Sequence, residues 1–190
     1  MEGVRVGYAL CGSFCTIKKS IAQMKLFKDA GAVLYPIMSG IVYSTDTRFG
    51  TAESNIKQVE DICERKVIHD VIGAEPIGPQ QMLDILIIAP CTGNTMGKLA
   101  CCITDSSVTM AAKAHLRNER PLLIAPSTND ALSSSAKNIG ALLATKNIFF
   151  VPFCQDSPEL KTRSCVSDFS KVYDSAVAAL EGYQIQPILM

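Results

Sequence analysis

The chain has 190 residues, 48% of them hydrophobic and 19% charged, the composition of a single globular domain with a full core spanning 1–190. Lys plus Arg and Asp plus Glu balance at 18 each, which argues against a nucleic-acid partner and a polybasic membrane patch. The start lacks a basic n-region and "VGYALCG" is too short for a signal core or a span, so the reading is a soluble cytoplasmic protein.

Six apolar runs bounded by Gly, Pro or polar residues predict six strands: "VRVGYAL", "AVLYPIM", "KVIHDVI", "DILIIAP", "PLLIAP" and "IFFVPF". Helical spacing fills the intervals. Ile17, Ile21 and Met24 form one apolar stripe before Gly31; Ile56, Val59 and Cys63 form the next. Met96, Leu99, Ala100 and Ile103 follow, then Leu132, Ala136, Ile139 and Leu143. Phe169, Val172, Tyr173, Ala176 and Leu180 make a closing helix that stops near Gly182. The tail "YQIQPILM" reads either as an arm onto a neighbouring protomer or as disorder.

Strands alternating with helices, and too apolar to leave one face wet, predict an α/β fold. The expected architecture is a Rossmann-like, flavodoxin-type doubly wound parallel sheet of six strands in a three-layer sandwich. Ligands of such sheets bind beyond the C-terminal strand ends, so the loops there are the candidates. "CGSFCT" after the first strand is a turn into a helix whose free N–H groups, with Ser13 or Thr16, suit a phosphate; Ser13 is equally a routine N-cap. In "PCTGNT", Gly93 allows close backbone approach to a flat ligand while Thr92, Asn94 and Thr95 offer donors and acceptors; the bland reading is a helix capped by Thr95. Ser39 and the run Ser127, Thr128, Asn129 finish two more strands in small polar residues. The polar connections "SGIVYSTDTRFG" and "CQDSPELKTRSCVSD" lie on the same side.

Cations that could meet an anionic ligand are Arg48, Lys98, Lys113 and Arg163, with Arg48 foremost because it sits in a ligand-side loop. His69, in register with Val67 and Val71, reads as a strand residue; His115, near a helix C-terminus, reads as a charge favourable to the dipole. The eight cysteines contain no C-x-x-C and no zinc-type Cys/His spacing, so reduced, largely buried thiols and no metal site are expected.

With those loops in place, the sequence resembles the flavoprotein family that includes the peptide and phosphopantothenoylcysteine decarboxylases and the flavin prenyltransferases. "GSFCT", "PCTGNT", "ITDSSVTMAAKA" and "APSTNDAL" are similar to its motifs in order, across nearly the whole chain. The resemblance implies an FMN site. Gly12, Ser13 and Phe14 would approach the flavin tail or phosphate, Ser39 the phosphate, and Thr92, Gly93, Asn94 and Thr95 the isoalloxazine; Ser106 and Ser107 start a further ligand-side helix. Asn129 matches a residue that faces substrate in the decarboxylases, and His69 roughly matches a histidine region there. Thr128 stands where the motif has Met, and the late segment carrying the decarboxylases' acid cysteine is not recognisable, although Cys165 lies in that region.

Within the family, the run from Ala74 to Leu132 resembles a branch that dehydrates and oxidises a hydroxylated tetrahydropyridine dicarboxylate to an aromatic pyridine during sporulation. That implies one component of an oxidoreductase, active with a partner chain that supplies NADP or NAD, and a homo-oligomeric state. The alternatives are an FMN-dependent decarboxylase of unknown substrate and a non-catalytic component with an empty flavin-like pocket. Arg48 and Asn129 would meet one substrate carboxylate; the other has no evident home in this chain and is expected to need a second chain.

Overall fold

The computed structural model describes residues 1–190. The chain opens with β1 (Arg5–Leu10), α1 (Phe14–Asp29), β2 (Val33–Met38), α2 (Gly40–Ser44), α3 (Ala52–Cys63) and α4 (Val71–Ala74). Next come β3 (Ile85–Cys91), α5 (Gly93–Ala100), α6 (Ser107–Leu116), β4 (Leu122–Thr128) and α7 (Ala136–Leu143). It closes with β5 (Ile148–Phe150), β6 (Phe153–Gln155), β7 (Cys165–Ser167) and α8 (Val172–Leu180). No helix is long and apolar enough to cross a membrane.

The sheet runs β2-β1-β3-β4-β7-β6, with β5 also paired to β4. Alternate residues of β1 enter opposite cores: Tyr8 packs with α1, α3 and α8, whereas Ala9 packs with the layer containing α6 and α7. The two clusters hold 24 and 23 buried residues, so the sheet is covered about equally on both faces, as its continuous apolar strands require.

At the N-terminal strand ends, Asp84 accepts from the Arg5 backbone N–H at 2.8 Å and its Nη2 at 2.6 Å, and from Arg120 Nη1 at 3.0 Å. These bonds, those to Arg5 foremost, hold the Asp84 carboxyl below the usual range and tie the starts of β1, β3 and β4 together. The opposite ends are left to the connecting loops.

Three expectations need correcting. The sheet has seven strands and is mixed: β1, β2, β3, β4 and β5 are parallel, while β7 runs antiparallel to β4 and β6. The cause is Pro152, which cannot donate to a ladder; it splits "IFFVPF" into β5 and β6, and the second half returns as a hairpin with β7. "KVIHDVI" is not a strand. Only Ile68 bridges to β2, because Asp70 accepts the Gly73 N–H at 2.6 Å and starts α4. His69 consequently lies outside any strand and stacks on Tyr43, centroids 3.9 Å apart.

The tail is neither an outward arm nor disordered. Phe153 N–H donates to Ile188 O at 3.0 Å and Met190 N–H to Phe153 O at 3.2 Å, while the Gln184 amide bonds both main-chain groups of Phe150 at 2.7 Å.

Candidate functional site

β1 has β2 on one side and β3 on the other, so the connections leave it in opposite directions and open a crevice above its C-terminal end. Two adjoining cavities occupy that crevice and share Gly12, Phe14, Thr92 and Asn94 as a common wall. The larger, about 660 Å³, extends over β4 and the β6–β7 loop; the smaller, about 400 Å³, extends toward β2 and α6. The Gly12–Ser13 turn and the Thr92–Asn94 segment therefore line one continuous site.

Its floor is built from hydroxyls. Ser13 Oγ lies 2.8 Å from Ser127 Oγ, and Thr16 Oγ1 donates to Ser13 O at 2.9 Å. Ser13 occupies the N-cap position of α1 yet makes no side-chain capping bond, so its hydroxyl is committed across the sheet to β4 rather than to its own helix. Thr92, not Thr95, caps α5: Thr92 Oγ1 accepts the Thr95 N–H at 3.3 Å, and Thr95 Oγ1 turns inward to Cys11 Sγ at 3.4 Å. Gly93 approaches its own chain. A Cβ there would stand 2.5 Å from Asp130 Oδ1 and from Ser135 Oγ.

Ser39 and Ser106 line the smaller cavity together with Thr95 and Lys98. Ser106 forms a reciprocal capping box with Thr109, but Ser39 Oγ is buried with no hydrogen-bond partner. An orphaned hydroxyl in a cavity that Lys98 also lines is a donor an anionic group would complete. Ser107 falls outside the expected set: its hydroxyl is buried, donates to Met38 O at 2.6 Å, and lines neither cavity.

The candidate cations separate clearly. Arg48 lines the larger cavity, makes no ion pair, and rests its guanidinium over Phe49 at 4.9 Å. Lys98 is held by both oxygens of Asp105 at 2.8 and 2.9 Å. Lys113 and Arg163 line neither cavity. Asn129 is exposed at the larger cavity's wall.

Sequence reasoning passed over Asp130, Asp156, Lys161 and Ser164, all of which line the larger cavity. Asp130 accepts from Thr128 Oγ1 at 2.6 Å and from Ser135 Oγ at 2.9 Å. Asp156 is held below the usual carboxylate range by Ser164 and then by Lys161, whose Nζ lies 2.9 Å away. Asp130 directly follows the Asn129 already singled out, so that signal was available; Asp156 and Lys161 meet only because the hairpin folds their loop back. Neither histidine reaches the cavities, whereas Cys165 lines the larger one, where burial pushes its thiol up and keeps it protonated.

The Flavoprotein family model matches residues 1–181. The chain belongs to the flavoprotein family. Among flavoproteins it is 43% identical over 190 residues to the B subunit of dipicolinate synthase from Bacillus subtilis (strain 168), covering 100% of this chain and 95% of that protein. The crystal structure of the dipicolinate synthase B subunit from Bacillus halodurans C superposes with a TM-score of 0.92 at 42% identity, covering 100% and 97% of the two chains. The FMN-dependent cysteine decarboxylase SpaF shares the flavoprotein fold, at a TM-score of 0.67 and 20% identity over 94% of this chain and 97% of that one.

Proposed function

We propose that this chain is the B subunit of a dipicolinate synthase, acting in the oxidation of 4-hydroxy-tetrahydrodipicolinate to dipicolinic acid during sporulation. The full-length correspondence with the Bacillus subtilis protein carries the reading. A decarboxylase of unknown substrate fits less well, because likeness at 20% identity speaks for the fold alone, whereas the 43% identity to the dipicolinate synthase subunit runs the full length of the chain.

The residues present fit a flavin mononucleotide. Ser39 Oγ is a buried donor awaiting an acceptor, Lys98 lines the same cavity, and Gly12 leaves bare backbone beside Phe14 and Asn94 where a ring system would cross into the larger cavity. Ser39 and Lys98 would hold the phosphate end; Gly12, Phe14, Thr92, Asn94 and Thr95 would border the ring, with Ser106 at the far wall. When bound, the flavin supplies two-electron redox chemistry. The chain's own part is to orient the dicarboxylate through Arg48 and Asn129 and to shelter the reacting face behind the β6–β7 loop.

Ser39→Ala is expected to weaken FMN binding about tenfold, the worth of one hydrogen bond to a charged group, without lowering Tm, because the hydroxyl bonds nothing in the protein itself. Quenching of FMN fluorescence on titration measures the first and a melt the second; equal affinities would remove Ser39 from the site.

The A subunit of dipicolinate synthase is the proposed partner and source of NADP or NAD, within an assembly that contains several copies of this chain. Dipicolinate formation followed by absorbance should require both chains. Substantial turnover by this chain alone with NADP would overturn the shared-site reading, and no turnover by the mixture would overturn the function.

A further inference from the structure

The two cations of the larger cavity are in different states. Arg48 has no carboxylate partner, whereas Lys161 is paired with Asp156. The other carboxylate of the cavity, Asp130, is satisfied by hydroxyls and draws on neither cation.

The backbone around Lys161 is fixed. Its N–H donates to Ser157 O at 2.7 Å, its own carbonyl accepts from Ser164 N–H at 3.0 Å, and Gln155 Nε2 spans the loop to Thr162 O at 2.8 Å. Only the ammonium is free to exchange partners. The Lys161 side chain is 61% exposed, and exposed ion pairs hold weakly. Asp156, 23% exposed, keeps the Ser164 hydroxyl beside it if Lys161 turns away, so releasing the lysine leaves no bare buried carboxylate.

We infer that Lys161 is a ligand-receiving residue: it leaves Asp156 to take one carboxylate of a dicarboxylate whose other carboxylate is met by Arg48. This rests on the dipicolinate reading above and deepens it. It also revises the expectation that the second carboxylate has no home in this chain. Asp156 acts as the internal competitor that occupies Lys161 between ligands, and a ligand with a single carboxylate gains from Arg48 alone. The site thus selects dianions over monoanions by exchanging one ion pair for another.

Calorimetry on the purified protein tests this with two probes, pyridine-2,6-dicarboxylate and pyridine-2-carboxylate. Wild type should prefer the dicarboxylate. Lys161→Ala should weaken the dicarboxylate about tenfold, toward the monocarboxylate value, and leave the monocarboxylate unchanged. Asp156→Asn keeps the shape of the side chain and frees Lys161, so it should tighten the dicarboxylate several-fold and the monocarboxylate much less; equal tightening of both would be the general effect of removing a negative charge and would also overturn the inference. Equal weakening of both probes by Lys161→Ala, weakening of the dicarboxylate by Asp156→Asn, or no binding of either probe to wild type would each overturn the inference. Neither probe requires the partner chain or turnover. The expected binding pattern with no dipicolinate formation by the mixed chains would therefore sink the functional reading while leaving the Lys161 assignment standing.

Discussion

Gly93→Ala is expected to cost on the order of 3 kcal/mol of stability and most of the FMN and dicarboxylate affinity, although it adds one methyl group. The new Cβ would meet Asp130 Oδ1 and Ser135 Oγ at 2.5 Å and Thr128 Oγ1 at 2.7 Å. Those three atoms cannot swing aside cheaply, because Asp130 ties the two hydroxyls together through bonds of 2.6 and 2.9 Å. Relief requires breaking that cluster or tilting α5, and either displaces Thr92 and Asn94 from the wall shared by both cavities. Urea denaturation and FMN titration measure the two effects. Gly140→Ala is the control: no atom lies within 4 Å of its Cβ position in α7, so a gain of about 0.5–1 kcal/mol is expected from helix propensity. Wild-type stability and binding in Gly93→Ala would show that the loop yields and that its packing does not shape the site.

The second large effect concerns pH. His115 is 1% exposed, and burial, opposed by the bond from Nε2 to Pro121 O at 2.9 Å, lowers its pKa from 6.5 to about 4. It is not the charged dipole partner that its place near a helix C-terminus suggested. The unfolded chain takes up this proton as pH falls through 6.5, while the folded protein resists until about 4, so the unfolded state binds more protons between those values. Stability is therefore full above 6.5 and declines through that window by roughly 3 kcal/mol from this group alone. His115→Gln removes the titration and should flatten the dependence between pH 6.5 and 4, at some loss of stability at neutral pH. Activity at neutral pH should persist, since His115 bonds Pro121 at the N-terminal end of β4, across the sheet from the cavities. An unchanged pH profile in the variant would show that the ring titrates alike in the folded and the unfolded chain.

Much of this arrangement is legible in the residues. Continuous apolar runs identify the buried strands, and small polar residues at their C-terminal ends mark the crevice, because a parallel sheet leaves only those ends for ligands. What escapes has identifiable causes. The run "KVIHDVI" has a strand's pattern, but the Asp70 cap starts a helix within it. The strands β6 and β7 are three residues each, too short for a period to register, and with them goes the loop that brings Asp156 and Lys161 to the cavity. Ser13 carries the residue type of a cap, yet its partner is Ser127, 114 positions away, a choice made by the packing of β1 against its neighbours rather than by local spacing.

The outer strands share a property that bears on how copies of this chain can associate. Beside β2, Ile68 takes the ladder positions of Pro36 O and Met38 N–H; beside β5, the Gln184 amide imitates a neighbouring strand; beside β6, the returning tail does the same. Each border of the sheet is interrupted by its own chain, which shortens the template that an extended segment of another molecule would extend. Any association of copies would then run through the side chains that cover the layers and rim the crevice, where Ile41 and Phe49 are exposed, and would be oriented by surface shape more than by strand register.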